Sequence, residues 1–358
     1  MDPGTHVKPD CQITQCLCRK GNSGWLSAEE VKVSLIGIER VNYFALNAKD
    51  PEVAAKFAVE RLGFTLEHAA SDGTHYLSAH GLDRYSLVYK PGETHGLHHV
   101  SYVVSDEQVL DRAGERLARA GVEVTRHIDR EWESKPALRF QTPAGHLIEL
   151  TTGLHTEIPV AHLVEAPKSG GPKPVVADHI GLGAADFEAE DKFAREVLGQ
   201  LQSGRVMAGD VQIMSFMRSP GRYLYHDLVV VRTPEARVHH LQFSLKNLDQ
   251  FYETAEALRA NDVEIEWGPL RHGTAHNVAM YFRDAEGYWV EYSVDEEIIL
   301  HDPTYVPRTW NVTDSHAVDE WNTGQPPVGL VGPPPAPPAD VLLGTDLDET
   351  FSKEGAQS

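Results

Sequence analysis

Cysteine is nearly absent from this 358-residue chain: Cys11, Cys16 and Cys18 all lie near the N-terminus, and no others follow. The main body therefore has no disulfide framework. With His6 nearby the three thiols could hold a metal, but their spacing matches no closed zinc-site pattern and their number is odd. We interpret residues 1–35 as a poorly ordered arm with free thiols.

Long apolar runs and an excess of basic residues are also missing. No segment approaches the roughly 20 apolar residues that a membrane-spanning helix needs, and the polar N-terminus lacks the features of a signal peptide. Lys and Arg number 32 against 53 Asp and Glu, giving a formal net charge of −21. This charge argues against nucleic acid or an anionic membrane as a partner. We expect a cytoplasmic protein of two domains.

The chain contains an internal duplication. GLHHVSYVV at 96–104 is matched by RVHHLQFSL at 237–245, which puts His99 and His240 141 residues apart. Two further pairs align at nearly the same spacing, QTPAGHLIEL with RDAEGYWVEY and RVNYFALNAKD with ADHIGLGAAD. Three landmarks in the same order indicate that the second half repeats the first.

Each half is predicted to hold two βαβββ modules. In the second half, DHIGLGA alternates like a strand, and Ala189, Phe193 and Val197 then recur every fourth residue along one helix face. A stretch rich in Pro, Gly and Ser separates the halves, and a Pro-rich, acidic tail follows them. The expected fold class is α+β, with domains at 36–154 and 175–305, a linker at 155–174 and a tail at 306–358 without a catalytic role.

Strand alternation places three possible metal ligands on inward faces. His179 shares its face with Gly181 and Gly183, whose small size leaves room for a ligand, while His240 and Glu291 lie on a first and a last strand. Taken alone, each is more often an ordinary core or surface residue. Together, two neutral imidazoles and one carboxylate form a facial triad with open positions on a divalent metal, as in non-haem Fe(II) oxygenases.

The second half resembles the catalytic domain of type I extradiol ring-cleavage dioxygenases, the catechol 2,3-dioxygenases of the vicinal oxygen chelate superfamily, which share the glyoxalase and bleomycin-resistance fold. The resemblance covers about residues 38–305, with one departure, Ala285 where the family usually has proline. Its motifs are DHIGL at 178–182, VHHLQF at 238–243, GPLRHG at 268–273 and YFRDAEGYWVEY at 281–292.

This resemblance implies both a reaction and a set of roles. The substrates would be a small aromatic diol and O2, and the ring would open next to the two hydroxyls. The metal would be Fe(II), with Mn(II) as the alternative, held by His179, His240 and Glu291. His226 would be the acid–base histidine, while His272 and Tyr281 would hydrogen-bond the substrate oxygens. A homo-oligomer is implied as well, with a tetramer favoured.

The first half repeats two of the three ligands. His99 and Glu149 match His240 and Glu291, but Tyr43 stands at the position of His179. We therefore expect the N-terminal copy to be non-catalytic.

Three alternatives remain open at this point. A relative of 4-hydroxyphenylpyruvate dioxygenase would act on a keto acid, a glyoxalase-like isomerase would use nickel or zinc without O2, and a binding protein would hold an aromatic compound without turnover. Candidate cavity residues are Trp267, Met280 and Tyr288. His239 is expected on the face opposite His240, and His276 at the surface.

Overall fold

The computed structural model describes residues 18–20, 24–26, 36–81, 83–128, 131–133, 135–153, 171–300 and 304–331. The chain divides into two units, Met1–Leu35 and Ile36–Ser358. In the first, β1 (Cys18–Lys20) pairs antiparallel with β2 (Gly24–Leu26). The predictions for Cys11 and Cys16, for most of the linker and for the polyproline-like and acidic part of the tail lie outside the described residues. Within them, no helix is long and apolar enough to cross a membrane.

The first half of the second unit is an eight-stranded sheet made of two modules. Its strands run in the order β4-β5-β6-β3-β7-β10-β9-β8, where β3 and β7 are the first strands of their modules. The first module is β3 (Ile38–Ala48), α1 (Pro51–Arg61), β4 (Thr65–Ala69), β5 (His75–Ser78) and β6 (Leu87–Pro91). The second is β7 (Gly96–Val104), α2 (Glu107–Arg119), β8 (Thr125–His127), β9 (Ala137–Gln141) and β10 (Leu147–Thr151).

The second half repeats this plan in a nine-stranded sheet. Its third module is β11 (Val176–Ala184), α3 (Phe187–Glu196), β12 (Leu201–Ala208), β13 (Val211–Arg218) and β14 (Leu228–Arg232). The fourth is β15 (Arg237–Ser244), α4 (Leu248–Ala260), β16 (Trp267–Arg271), β17 (Val278–Arg283) and β18 (Trp289–Val294). The strand order is β16-β17-β18-β15-β11-β14-β13-β12, followed by β19 (Arg308–Asn311). Two short helices end the described chain, α5 (Ser315–Val318) and α6 (Val328–Val331).

The modules join through their first strands. β11 pairs antiparallel with β15, and each also lies parallel to the last strand of its own module, β14 or β18. The same pairings connect β3, β7, β6 and β10 in the first half. The predicted α+β fold of two βαβββ modules in each half is confirmed, and its topology puts the first strands and β18 side by side at the centre of the sheet.

Side-chain caps set where the four long helices begin. Asp50, Asp106, Asp186 and Asn247 each accept a hydrogen bond from the amide three residues later. Such caps satisfy an amide that has no partner within the helix. The helices therefore start at equivalent points in all four modules.

The two halves share one hydrophobic core. Phe243 of β15 packs edge-on against Phe44 and Phe64 of the first half, with ring centroids 5.3 and 4.9 Å apart. Tyr288 donates a hydrogen bond to the carbonyl oxygen of Asn47 at 2.7 Å. Because these apolar side chains occupy one face of the central strands, the opposite face is left for the polar residues.

One predicted strand begins later than the alternation suggests. The sequence VEIEWGP at 263–269 predicts a strand over its whole length, but β16 starts at Trp267. The Val263 amide donates to the carbonyl of Leu258 and so completes the end of α4. The apolar residue at 263 therefore belongs to the helix end.

Candidate metal centre

The structure brings His179, His240 and Glu291 together from three neighbouring strands. The Nε2 atoms of the two histidines are 3.0 Å apart, and Glu291 Oε2 lies 3.4 Å from His179 Nε2 and 3.5 Å from His240 Nε2. All three side chains are buried. Across the part of the chain that the structure describes, they are the one group of three or more His, Cys, Asp or Glu residues whose donor atoms lie within 4.8 Å of one another.

The electrostatics of this group suit a divalent cation. Burial holds the pKa of His240 well below its ordinary value, so this imidazole is neutral and has a free lone pair. Burial would raise the pKa of Glu291, but hydrogen bonding and charge from His179 outweigh it and lower the pKa to about 2. The Nδ1 atom of His179 has no hydrogen-bond partner. Imidazole nitrogen and carboxylate oxygen are the donors that Fe, Mn and Zn accept.

A β-bulge changes the direction of His239. Val238 pairs with Leu182 and His240 with Gly181, which leaves His239 as an extra residue on β15. Both imidazoles consequently line the cavity, with their Nδ1 atoms 2.6 Å apart. The prediction that His239 points to the opposite face is therefore wrong, because strict alternation fails at a bulge.

The glycine at position 181 makes room for a ligand side chain. A Cβ atom there would lie 2.6 Å from His240 Nδ1. The space that the sequence predicts for a bound molecule is therefore filled by His240 itself.

A cavity of about 90 Å³ opens beside the three residues, and His226, His272 and Tyr281 all line it. His272 Nδ1 donates to the carbonyl of Val318 at 2.6 Å, and His272 Nε2 lies 2.8 Å from the Tyr281 hydroxyl. Burial lowers the pKa of His272, so the ring is neutral and Nε2 accepts from Tyr281. Burial, with the charge of Glu291, raises the pKa of Tyr281 well above its usual value. Tyr281 is therefore a proton donor at neutral pH.

His226 lies just before β14, with its ring centroid 3.9 Å from that of His179. Burial, together with His179, holds its pKa well below the ordinary value, so it is neutral. Glu296 Oε1 accepts a hydrogen bond from the His226 amide at 2.9 Å and lies 2.6 Å from its Nδ1. Burial raises the pKa of Glu296 to about 7. A titratable carboxyl therefore lies next to Nδ1 of the His226 imidazole.

The rest of the cavity wall is largely apolar. Of the three candidate cavity residues, Trp267 lines the cavity. Met280 and Tyr288 do not, because Met280 lies in the shared core and the Tyr288 hydroxyl donates to the Asn47 carbonyl of the first half. His276 is half-buried beside Arg308 and is not among the lining residues. The apolar lining residues are Met214, Phe216, Val229, Trp267, Ala275, Val318, Pro326 and Leu330.

Sequence reasoning missed two contributions. Asn277 lies next to β17 and donates to Glu291 Oε1 at 2.9 Å, so it orients the carboxylate. The sequence predicts a tail without a catalytic role, whereas Val318, Pro326 and Leu330 from the described part of that tail line the cavity. No sequence pattern marks either contribution, because both depend on contacts between segments distant in the chain.

The equivalent place in the first half is occupied by an arginine. Tyr43 and His179 hold matching positions, since they lie opposite Ser101 and Gln242, two residues past the second histidine of each pair. The Tyr43 hydroxyl donates to Glu149 at 2.6 Å and lies 2.9 Å from His99 Nε2. Two carboxylates accept from the Arg139 guanidinium, Glu149 at 2.8 Å and Glu131 at 2.7 Å. In the first half, a side-chain cation neutralises the buried carboxylate.

Comparisons with known proteins agree with this architecture. A family model described as Glyoxalase/Bleomycin resistance protein/Dioxygenase superfamily matches residues 40–150 and 176–292. A metapyrocatechase from Pseudomonas sp. (strain CF600) is 26% identical over 299 residues, covering 78% of this chain and 92% of that protein. A manganese-dependent 2,3-dihydroxybiphenyl 1,2-dioxygenase from Geobacillus genomosp. 3 is 24% identical over 298 residues, covering 76% and 90%.

Solved structures share the fold. Homoprotocatechuate 2,3-dioxygenase from Arthrobacter globiformis gives a TM-score of 0.72 at 21% identity, covering 81% of this chain and 90% of that one. The 2,3-dioxygenase LapB from Pseudomonas sp. KL28 gives 0.69 at 24% identity, covering 77% and 98%. The chain belongs to the Glyoxalase/Bleomycin resistance protein/Dioxygenase superfamily.

Proposed function

We propose that the chain is an extradiol ring-cleaving dioxygenase. It opens the aromatic ring of a small catechol-type diol beside the two hydroxyls, and both atoms of O2 enter the product. The observation that carries the proposal is the convergence of His179, His240 and Glu291 at a cavity that also contains His226, His272 and Tyr281. The names of the relatives support the same reaction class.

The metal in this proposal is Fe(II), with Mn(II) as the alternative suggested by the manganese-dependent relative. His179, His240 and Glu291 would hold it. When bound, a metal of this kind lowers the pKa of the diol hydroxyls and brings substrate and O2 together.

His272 and Tyr281 would position the diol. Because His272 is fixed by the Val318 carbonyl, its Nε2 is an acceptor, and the raised pKa of Tyr281 keeps that hydroxyl protonated. The two groups are hydrogen-bonded to each other in the structure, and a diol that replaces this bond would gain one acceptor, His272 Nε2, and one donor, the Tyr281 hydroxyl. The donor suits a substrate oxygen that carries negative charge.

His226 would move the proton. A neutral imidazole can take a proton from the diol and return it as the ring opens. Burial keeps this ring neutral before substrate arrives. Glu296 would hold the ring in place from the Nδ1 side.

The test is oxygen uptake, measured together with visible absorbance. The protein is purified without oxygen, loaded with Fe(II) or Mn(II), and mixed with catechol and substituted catechols. A yellow ring-opened product with about one O2 consumed per diol is expected. The matched variants are His240→Ala, which should abolish uptake, and His99→Ala in the first half, which should retain it in any chain that folds. Full activity in metal-analysed His240→Ala would contradict the assignment.

The same preparation separates the alternatives. Turnover without oxygen uptake would favour a glyoxalase-like isomerase, and tight binding of a diol without turnover would favour a binding protein. We also propose that the chain acts in the cytoplasm as a homo-oligomer, with a tetramer favoured. Light scattering coupled to size-exclusion chromatography would give the subunit number.

A further inference from the structure

We propose that the preferred substrate is an uncharged catechol with an apolar substituent, and that catechols with a carboxylate side chain are poor substrates. This inference rests on the proposed extradiol function and adds the chemical class of the substituent. It rests on the apolar side chains that line the cavity and on the contacts that the nearby arginines make.

The wall offers an apolar surface next to the diol-binding pair. The Trp267 ring stacks on Tyr281 with centroids 5.0 Å apart and planes inclined by 26°. Leu330 is buried in the same apolar cluster. Met214 and Phe216 of β13 line the cavity as well. A substituent that fills this space removes apolar surface from water without losing a hydrogen bond.

No lysine or arginine is among the described residues that line the cavity. The nearby arginines are bound elsewhere. Arg237 donates to the carbonyls of Gly329 and Leu330, and so contacts the backbone of α6. Arg271 pairs with Glu320 at 3.2 Å. Neither Arg237 nor Arg271 is among the residues that line the cavity.

The remaining polar groups do not replace a cation. Asn277 already donates to Glu291. Apart from the histidines and Tyr281, the other neutral polar residue in the wall is Thr274. A substrate carboxylate would enter a buried, largely apolar space in which the charge of the bound metal would already be balanced by Glu291 and the diol oxygens. Such a group loses its hydration without gaining a counterion, which makes its burial unfavourable.

Two isosteric substrates isolate the charge. 4-Isobutylcatechol and 3,4-dihydroxyphenylacetate differ chiefly in whether a branched alkyl group or a carboxylate ends the substituent. We expect kcat/KM for the neutral compound to be higher by about 100-fold or more. Binding to the metal-loaded protein under nitrogen, measured by calorimetry, should show the same preference without turnover.

A matched pair of variants tests the wall. Leu330→Arg introduces a cation at the cavity and should narrow the ratio between the substrates by about 10-fold or more, whereas Leu330→Met should leave it nearly unchanged. Met214→Arg on β13 serves the same purpose if Leu330→Arg does not fold.

The outcomes are distinguishable. Equal or better cleavage and binding of the carboxylate, with wild-type protein that cleaves unsubstituted catechol, would overturn the substrate class and leave the proposed function intact. Failure to cleave any diol, including unsubstituted catechol, would overturn the proposed function and this inference with it.

Discussion

Arg139 in the first half and Tyr281 in the second hold equivalent positions: each lies directly opposite the repeated carboxylate of its own half, Glu149 or Glu291. Arg139 brings a permanent positive charge to the carboxylate, while Tyr281 brings a hydroxyl and leaves the charge to be balanced by another cation. The same sheet topology thus supports a closed ion-pair network in the first half and a set of possible metal donors without a side-chain cation in the second.

Replacing Arg139 by Gln should destabilise the protein by about 3 to 5 kcal/mol, because Glu149 would lose its buried cationic partner and Glu131 would keep only Lys90. Urea unfolding monitored by circular dichroism measures the change. Arg126→Gln is the control, since its partner Asp111 is 59% exposed; its effect should stay below about 0.5 kcal/mol. Equal losses of unfolding free energy in the two variants would show that the buried network stabilises the protein no more than an exposed ion pair does.

Glu291→Gln should lower the affinity for Fe(II) or Mn(II) by about 100-fold or more, because one anionic donor is lost from the group. Glu149→Gln makes the same chemical change in the first half and should leave the metal content unchanged. Elemental analysis after dialysis against a defined metal buffer gives both values. A similar loss of bound metal in the two variants would contradict this prediction and indicate that the first half also binds metal.

Asp284 should make stability depend on pH. Burial raises its pKa to about 7, and its carboxylate oxygens accept from Tyr89 across the two halves and from the amide of Tyr288. Between its unfolded pKa near 4 and its folded pKa, the folded protein keeps a proton that the unfolded chain releases. This contribution is therefore fully present at low pH and is lost as pH rises to about 7.

The Asp284→Asn variant measures that contribution. Its amide keeps one acceptor oxygen and does not titrate, so its stability relative to wild type should improve by about 2 to 3 kcal/mol from pH 5 to pH 8. Urea unfolding at four pH values, with both proteins at the same metal load, provides the comparison. Parallel curves for the two proteins would rule out titration of Asp284 in this range.

Ending the chain after Asp314 should weaken catalysis and preserve both sheets. The truncated protein lacks the Val318 carbonyl that fixes His272, and the Pro326 and Leu330 side chains of the wall. We expect KM for neutral catechols to rise by about 10-fold or more, with far-UV circular dichroism nearly unchanged. A chain that ends after Val331 is the control and should keep its KM. If both truncations behave like the full chain, the described tail has no part in substrate binding.

The sequence predicts those features that follow strand periodicity. The sequence could place His179, His240 and Glu291 on one side of the sheet because each lies on a predicted strand, and because the internal repeat related the two halves. His239 was placed wrongly because a bulge depends on pairing with β11, which alternation along β15 does not record. The roles of Asn277 and of residues 315–331 in the wall also depend on tertiary contacts, which a single sequence does not specify.

The position of Leu330, C-terminal to every proposed metal donor, has a consequence for biosynthesis. The proposed donors His179, His240 and Glu291 leave the ribosome before the segment that covers the cavity. Protein that stalls or is cut after β19 would already contain every proposed metal donor, yet the cavity would lack its outer wall. A metal held by such a fragment would be exposed to O2 and water, so synthesis of residues 312–331 would shield the proposed metal centre as well as the substrate.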